Sequence, residues 1–105
     1  MYVTISARRC RAPAAVRERA QERLSRLRLV APELIGAEID LSVQRGVHRV
    51  DARVVIPGMS AIRASCTGAD FRAALDGALE RARRQITEHK ARRGRHVARR
   101  DLVRV

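Results

Sequence analysis

The side chains of this chain with the clearest chemical capacity are guanidiniums. All 23 basic residues but Lys90 are arginine, and a guanidinium presents a planar fork that matches phosphate oxygens two at a time. They are unevenly spread. The formal net charge is +12, and residues 81–105 hold ten of the basic residues against only Glu88 and Asp101. Arg17, Arg19, Arg23, Arg26 and Arg28 form one series, and Arg72, Arg81, Arg83, Arg84, Lys90, Arg92 and Arg93 form another. Both series fall within segments of helical periodicity, so the charge is carried on ordered elements. Such a surface suits a polyanion, and nucleic acid is the one expected. Helix pairs such as Glu80 with Arg84, or Glu88 with Arg92, absorb part of the charge at ~0.2–0.5 kcal/mol each. Acids are too scarce to absorb the rest. Neutralising six phosphates would give a log–log salt slope of about −4 to −5.

Other chemistries find little support. Cys10 and Cys66 form no CxxC and have no histidines clustered nearby, so no metal site is expected, and they read as reduced thiols. His48, His89 and His96 have no carboxylate or thiol at a spacing that makes a catalytic unit. His89 continues an apolar stripe and reads as a packing residue as readily as a contact. Asp76 and Glu80 share a helix face at i, i+4, which reads as a solvated face. There is no P-loop, no dinucleotide fingerprint and no GxxG clamp. An enzyme and a bound cofactor are therefore not expected. Tyr2 and Phe71 are the only aromatics beside the histidines, too few for a base-stacking platform. No apolar run approaches the ~20 residues of a membrane span, and no signal pattern opens the chain. The expectation is a cytoplasmic protein without a membrane segment.

The elements that must carry these residues follow from periodicity. Residues 2–7 alternate at period two, with Val3, Ile5 and Ala7 inward. Pro13 opens a helix at its first turn, with a stripe of Val16, Ala20, Leu24 and Leu27, and the helix ends before Pro32. Leu34 and Ile35 are expected to tuck beneath the sheet. Ile39, Leu41 and Val43 mark a second strand, and Arg45-Gly46-Val47 a turn. Val50, Ala52, Val54 and Ile56 mark a third strand closed by Pro57-Gly58, and Ile62, Ala64 and Cys66 a fourth. Asp70 is placed to cap a second helix, whose stripe is Phe71, Ala74, Leu75, Ala78, Leu79, Ala82 and Ile86. Gly94 is the expected stop. The order β-α-β-β-β-α, with one apolar face per strand set and one stripe per helix, predicts an α+β fold of two layers. A four-stranded sheet would carry both helices on one face, with its first two strands parallel. One domain over residues 1–93 and a mobile basic tail or linker over 94–105 are expected, as a monomer.

Several stretches carry a resemblance. Ile5-Ser-Ala-Arg8, Ala15-Val-Arg17, Arg23-Leu-Ser-Arg-Leu27, His48-Arg-Val-Asp51 and Pro57-Gly58 are joined by Asp70-Phe-Arg-Ala-Ala-Leu-Asp76, Arg81-Ala-Arg-Arg-Gln-Ile86 and His89-Lys90. Together, over residues 2 to about 93, they resemble the ribosome hibernation promoting factor family, also called ribosome-associated inhibitor A or sigma-54 modulation protein. The resemblance implies a fold related to double-stranded RNA-binding domains. It also implies binding in the decoding channel of the small ribosomal subunit, against its ribosomal RNA, where messenger and transfer RNA would sit. By position, the implied RNA contacts are Arg17, Arg23 and Arg26 on the first helix and Arg81, Arg84, Lys90 and Arg92 on the second. Arg8 stands at a position that is often basic in the family. Ala82 replaces a usual leucine, and Glu88 a usual basic residue. The chain ends at Val105 without the C-terminal domain of long-form members, and both a short form and a truncated long form fit. The alternatives are a general RNA- or DNA-binding module without ribosome preference, and an adaptor for acidic proteins.

Overall fold

A computed structural model describes the backbone of residues 1–104 and the side chains of residues 1–92. The elements are β1 (Tyr2–Arg8), α1 (Ala14–Val30), β2 (Gly36–Gln44), β3 (Val47–Val55), β4 (Ile62–Gly68) and α2 (Phe71–Arg104). The strands lie in the order β1-β2-β3-β4. β1 runs parallel to β2, and the other two pairings are antiparallel. This is the predicted α+β architecture. The core is the inward face of the sheet (Ile39, Leu41, Val50, Ala52, Val54, Ile62, Ala64) closed by the apolar stripes of both helices.

Local chemistry accounts for the element ends. Pro13 is the N-cap of α1, one position before the expected first turn, and its carbonyl accepts from the Val16 and Arg17 amides at 3.0 and 3.3 Å. Asp70 caps α2, accepting the Ala73 amide on Oδ1 at 2.8 Å. Leu34 is buried, as expected, after a turn in which its amide bonds Ala31. Ile35 is not beneath the sheet. Its backbone is held by Tyr2 and Val55 at the sheet margin, and its side chain is 46% exposed. Nor does α2 stop at Gly94, since the helix continues to Arg104. A glycine permits a left-handed C-cap without imposing one. Within a helix it costs about 1 kcal/mol, which the strong helix formers Ala91, Arg92, Arg95 and Ala98 can offset. The side chains of residues 93–105, Arg93 and His96 among them, lie outside the described residues, as does any arrangement of a basic tail.

α2 sits close to the sheet because its inner face is small. Ala74, Ala78 and Ala82 are fully buried, and on the flank facing β4 Gly77 lies against Cys66. Arg81 donates to the Ser65 carbonyl, and Gln85 donates through Nε2 to the Arg63 carbonyl at 2.9 Å. These carbonyls point away from β3, so α2 covers the free edge of β4 with side-chain donors and blunts it against strand pairing.

A β-carbon on Gly77 would overlap the Cys66 sulfur. In an open helix Gly→Ala stabilises by ~0.8–1 kcal/mol. Here Gly77→Ala should instead destabilise, by about 1–3 kcal/mol of overpacking, read from urea unfolding. Adding Cys66→Ala should recover most of the loss. A Gly77→Ala variant more stable than the parent would show that the helix has room to lift off β4.

Candidate nucleic-acid interface

The helices meet along flanks that both carry arginine, and acids are threaded between them. Arg19 lies as a fork on Asp76, with Nε to Oδ1 at 3.1 Å and Nη2 to Oδ2 at 3.0 Å. Arg23 approaches the same carboxylate at 3.5 Å. Asp76 is held below the usual carboxylate range, mainly by the Arg19 hydrogen bond; burial opposes this, and the Arg19, Arg23 and Arg72 charges add to it. Glu22 accepts from Arg26 at 3.1 Å and lies 3.6 Å from Arg19. Glu80 takes the fork of Arg83, which lowers its pKa first, with Arg84 and Arg23 contributing at longer range. The Asp76 side chain is 31% exposed. It is not part of a solvated face as the i, i+4 spacing suggested, but an interhelical clamp. Glu80 pairs with Arg83 at i+3 and not with Arg84 at i+4. Even so, Arg19, Arg23, Arg26, Arg72, Arg83 and Arg84 outnumber Glu22, Asp76 and Glu80 two to one.

The structure sorts the sequence-derived contact residues into three groups. Arg17 on the outer flank of α1 and Arg84 on the outer surface of α2 are exposed and, among the described residues, have no acidic partner. Arg23 and Arg26 line the interhelical groove and are partly neutralised there. The remaining four are placed otherwise. Lys90 donates to the Val30 carbonyl at 2.8 Å and lies 3.0 Å from Glu33. It thus caps the C-terminus of α1, where a cation is favoured, and it helps keep the Glu33 carboxyl below its ordinary range, after that residue's own backbone hydrogen bond. Arg81 is spent on the β4 edge. Arg92 is 74% exposed and 4.0 Å from Glu88. Arg8 ends β1 on the opposite, uncovered face of the sheet, in register with Ser42, Arg49 and Thr67.

On that uncovered face Glu38, Asp40 and Asp51 stand against Arg53 and Arg63. Arg53 pairs with Glu38 at 3.1 Å. Arg8 and Arg49 belong to the same face, where strand alternation places both. Tyr2 lies across Gly36, in the space a β-carbon would fill, so its ring covers backbone. His48 meets Phe71 edge-on at 4.7 Å and 89°, a packing contact. His89 is half-buried. Cys10 and Cys66 are both free thiols. No helix among the described residues is long and apolar enough to cross a membrane.

The family described as Sigma 54 modulation protein / S30EA ribosomal protein matches residues 3–94. The ribosome hibernation promoting factor of Escherichia coli K12 is 28% identical over 96 residues, covering 91% of this chain and 100% of its own length. The Shigella flexneri protein of the same name matches to the same extent. Among solved structures, the Thermus thermophilus Protein Y N-terminal domain superposes with a TM-score of 0.74 at 28% identity, covering 85% of this chain and 97% of that one. A ribosomal subunit interface protein from Coxiella burnetii reaches 0.79 at 24% identity, covering 87% and 99%, a likeness of fold.

The clamp has a pH signature. Because the folded pKa of Asp76 is depressed, its contribution to stability is present above the unfolded value of about 3.9 and is lost as pH falls through the folded value. Asp76→Asn should lower the urea midpoint at pH 7, and the gap from the parent should close as the pH drops below about 4. A gap unchanged between neutral and strongly acid solution would show that the ion network does not join the helices.

Proposed function

The chain belongs to the sigma 54 modulation protein / S30EA ribosomal protein family, and on that footing we propose that it is a ribosome hibernation factor. It binds the small ribosomal subunit against ribosomal RNA in the decoding channel, excludes messenger and transfer RNA, and silences translation in the cytoplasm. It works by occupancy and catalyses nothing. The observation that carries this reading is the cationic excess of the helix layer. Two helices braced on one sheet present more guanidiniums than their acids neutralise, and Arg17 and Arg84 are left exposed without acidic partners. Phosphate contacts supply affinity and orientation, while the shape of the folded RNA supplies selectivity. The scarcity of exposed aromatics argues against base stacking as the source of either.

The fold itself dictates which arginines make a clean test. Reversing charge at Arg81 or Lys90 would also break the bonds to Ser65 and Val30, confounding binding with stability. Arg17→Glu with Arg84→Glu touches neither, and unfolding should change by no more than about 0.5 kcal/mol per site. In co-sedimentation with purified subunits across a salt series, with competitor duplex RNA present, the parent should remain on the small subunit. The double variant should lose at least about tenfold in affinity at physiological salt, with a slope shallower by about two. Parental retention of the double variant would refute the helix layer as the binding surface. Equal loss of the parent to competitor would favour a general nucleic-acid binder.

A further inference from the structure

Among the described residues, the two non-glycine positions with positive φ are both arginines, Arg9 (φ 58°) and Arg45 (φ 52°). Gln44 pairs with Val47, so the β2–β3 connection is the two-residue loop Arg45-Gly46, and Gly46 also has positive φ at 75°. Two such residues are the signature of a type I′ turn, whose first position favours Asn, Asp or Gly. An arginine there is a costly choice, since left-handed backbone with a β-carbon is strained by ~1 kcal/mol or more. The Gly46 tip beside it is open, with nothing within 4 Å of where its β-carbon would stand.

Arg45 lines a depression of about 350 Å³ on the uncovered sheet face, together with Ser42, Gln44, Val47, Arg49 and Thr67. The lining thus offers two guanidiniums, two hydroxyls and an amide, and no carboxylate. Arg49 is held from one side only. Its Nε and Nη2 meet Asp51 at 3.1–3.3 Å, which leaves the Nη1 donors uncommitted among the described residues. Asp51 sits one row further from the hairpin, its charge met by Arg49, a Ser65 hydroxyl bond and the field of Arg8. Arg8 flanks Ser42 on the β1 side.

We propose that this hairpin depression is a second phosphate-binding site, one that takes the sugar–phosphate backbone of an RNA segment other than the one gripped by the helices. It lies on the face of the sheet opposite the helix layer, so a single stretch of duplex cannot reach both. The protein would then bridge two RNA elements of a folded RNA rather than rest on one. Hydroxyl, amide and guanidinium donors with no carboxylate in the lining are the chemistry of phosphate contacts, and the Asp51 fork, which neutralises Arg49 in part, also orients it before the ligand arrives. The inference rests on the RNA-binding reading above and extends it to a face which that reading leaves unused.

Arg45→Asn provides a test in which stability and binding move apart. Asparagine suits the left-handed turn position and removes the cation, so the melting temperature should hold or rise. With an RNA duplex of about 16 base pairs at low salt, native mass spectrometry should find the parent taking two duplexes. Arg45→Asn with Arg8→Gln should take one, and Arg17→Glu with Arg84→Glu should retain the other. A parent that takes only one duplex, or an Arg45→Asn, Arg8→Gln variant that still takes two, overturns the site. Weaker subunit binding by that variant with unchanged duplex stoichiometry would mark the face as a protein contact and overturn it equally. Should the parent fail to bind subunits yet take two duplexes lost one by one in the two variants, the ribosomal reading fails and the hairpin site stands.

Discussion

Two helices that carry arginine on their facing flanks repel each other, and the fold depends on the acid that lets them lie side by side. Asp76 is that acid. It takes the fork of Arg19 and the approach of Arg23 in a half-buried position, where an ion pair is screened less than on open surface. The apolar stripes explain why each helix lies on the sheet, but they do not set the neighbouring flanks against each other. Asp76 does so, and Lys90 repeats the device at the far end by tying α2 to the last carbonyl of α1.

Charge in this molecule therefore has two uses that formal counting merges. Arg19, Arg81 and Lys90 are committed to structure: one to the interhelical clamp, one to the β4 edge and one to a helix end. Arg17 and Arg84 are left to solvent. Arg23 and Arg26 stand between, half-neutralised and still lining the groove. On the function proposed above, a partner RNA would meet the remainder after these internal commitments, which is smaller than +12 suggests but held on a rigid frame. Arginines fixed by packing and by acids lose less conformational freedom on binding a phosphate than free ones.

The sheet contributes more than a scaffold. Its inner face supplies eight of the 22 buried core residues. Its outer face is divided by register into rows: Glu38, Arg53 and Arg63 near one end, the facing Asp40 and Asp51 in the middle, and Arg8, Ser42, Arg49 and Thr67 toward the hairpin. Directly opposed carboxylates are unfavourable across a strand pair, and the Arg49 fork and Ser65 hydroxyl on Asp51 relieve them. Averaged over the whole face this looks neutral. Row by row it is polarised toward the β2–β3 hairpin.

Periodicity was enough for the six elements, their order and the inward residues of the strands except Ala7, which is exposed near the end of the edge strand β1, because burial imposes a period of two on strands and about 3.6 on helices wherever one face meets a core; the Asp70 cap needed only its residue type. The resemblance carried by residues 70–76 and 81–90 likewise needed only the sequence. Contacts between elements were not legible there. Asp76 looked like half of a solvated pair because its Arg19 partner lies 57 positions away on another helix, and the bond from Lys90 to the Val30 carbonyl, 60 positions away, left no sign in the sequence. Leu34 and Ile35 looked alike as apolar neighbours, but successive side chains of an extended segment point to opposite sides, and only Leu34 is buried. Gly94 looked like a stop because glycine allows one, whereas helix continuation depends on the sum of its neighbours. One-dimensional pattern reports which face of an element is apolar; which charged side chains meet across space is decided by the docking of those faces, and only the tertiary structure contains it.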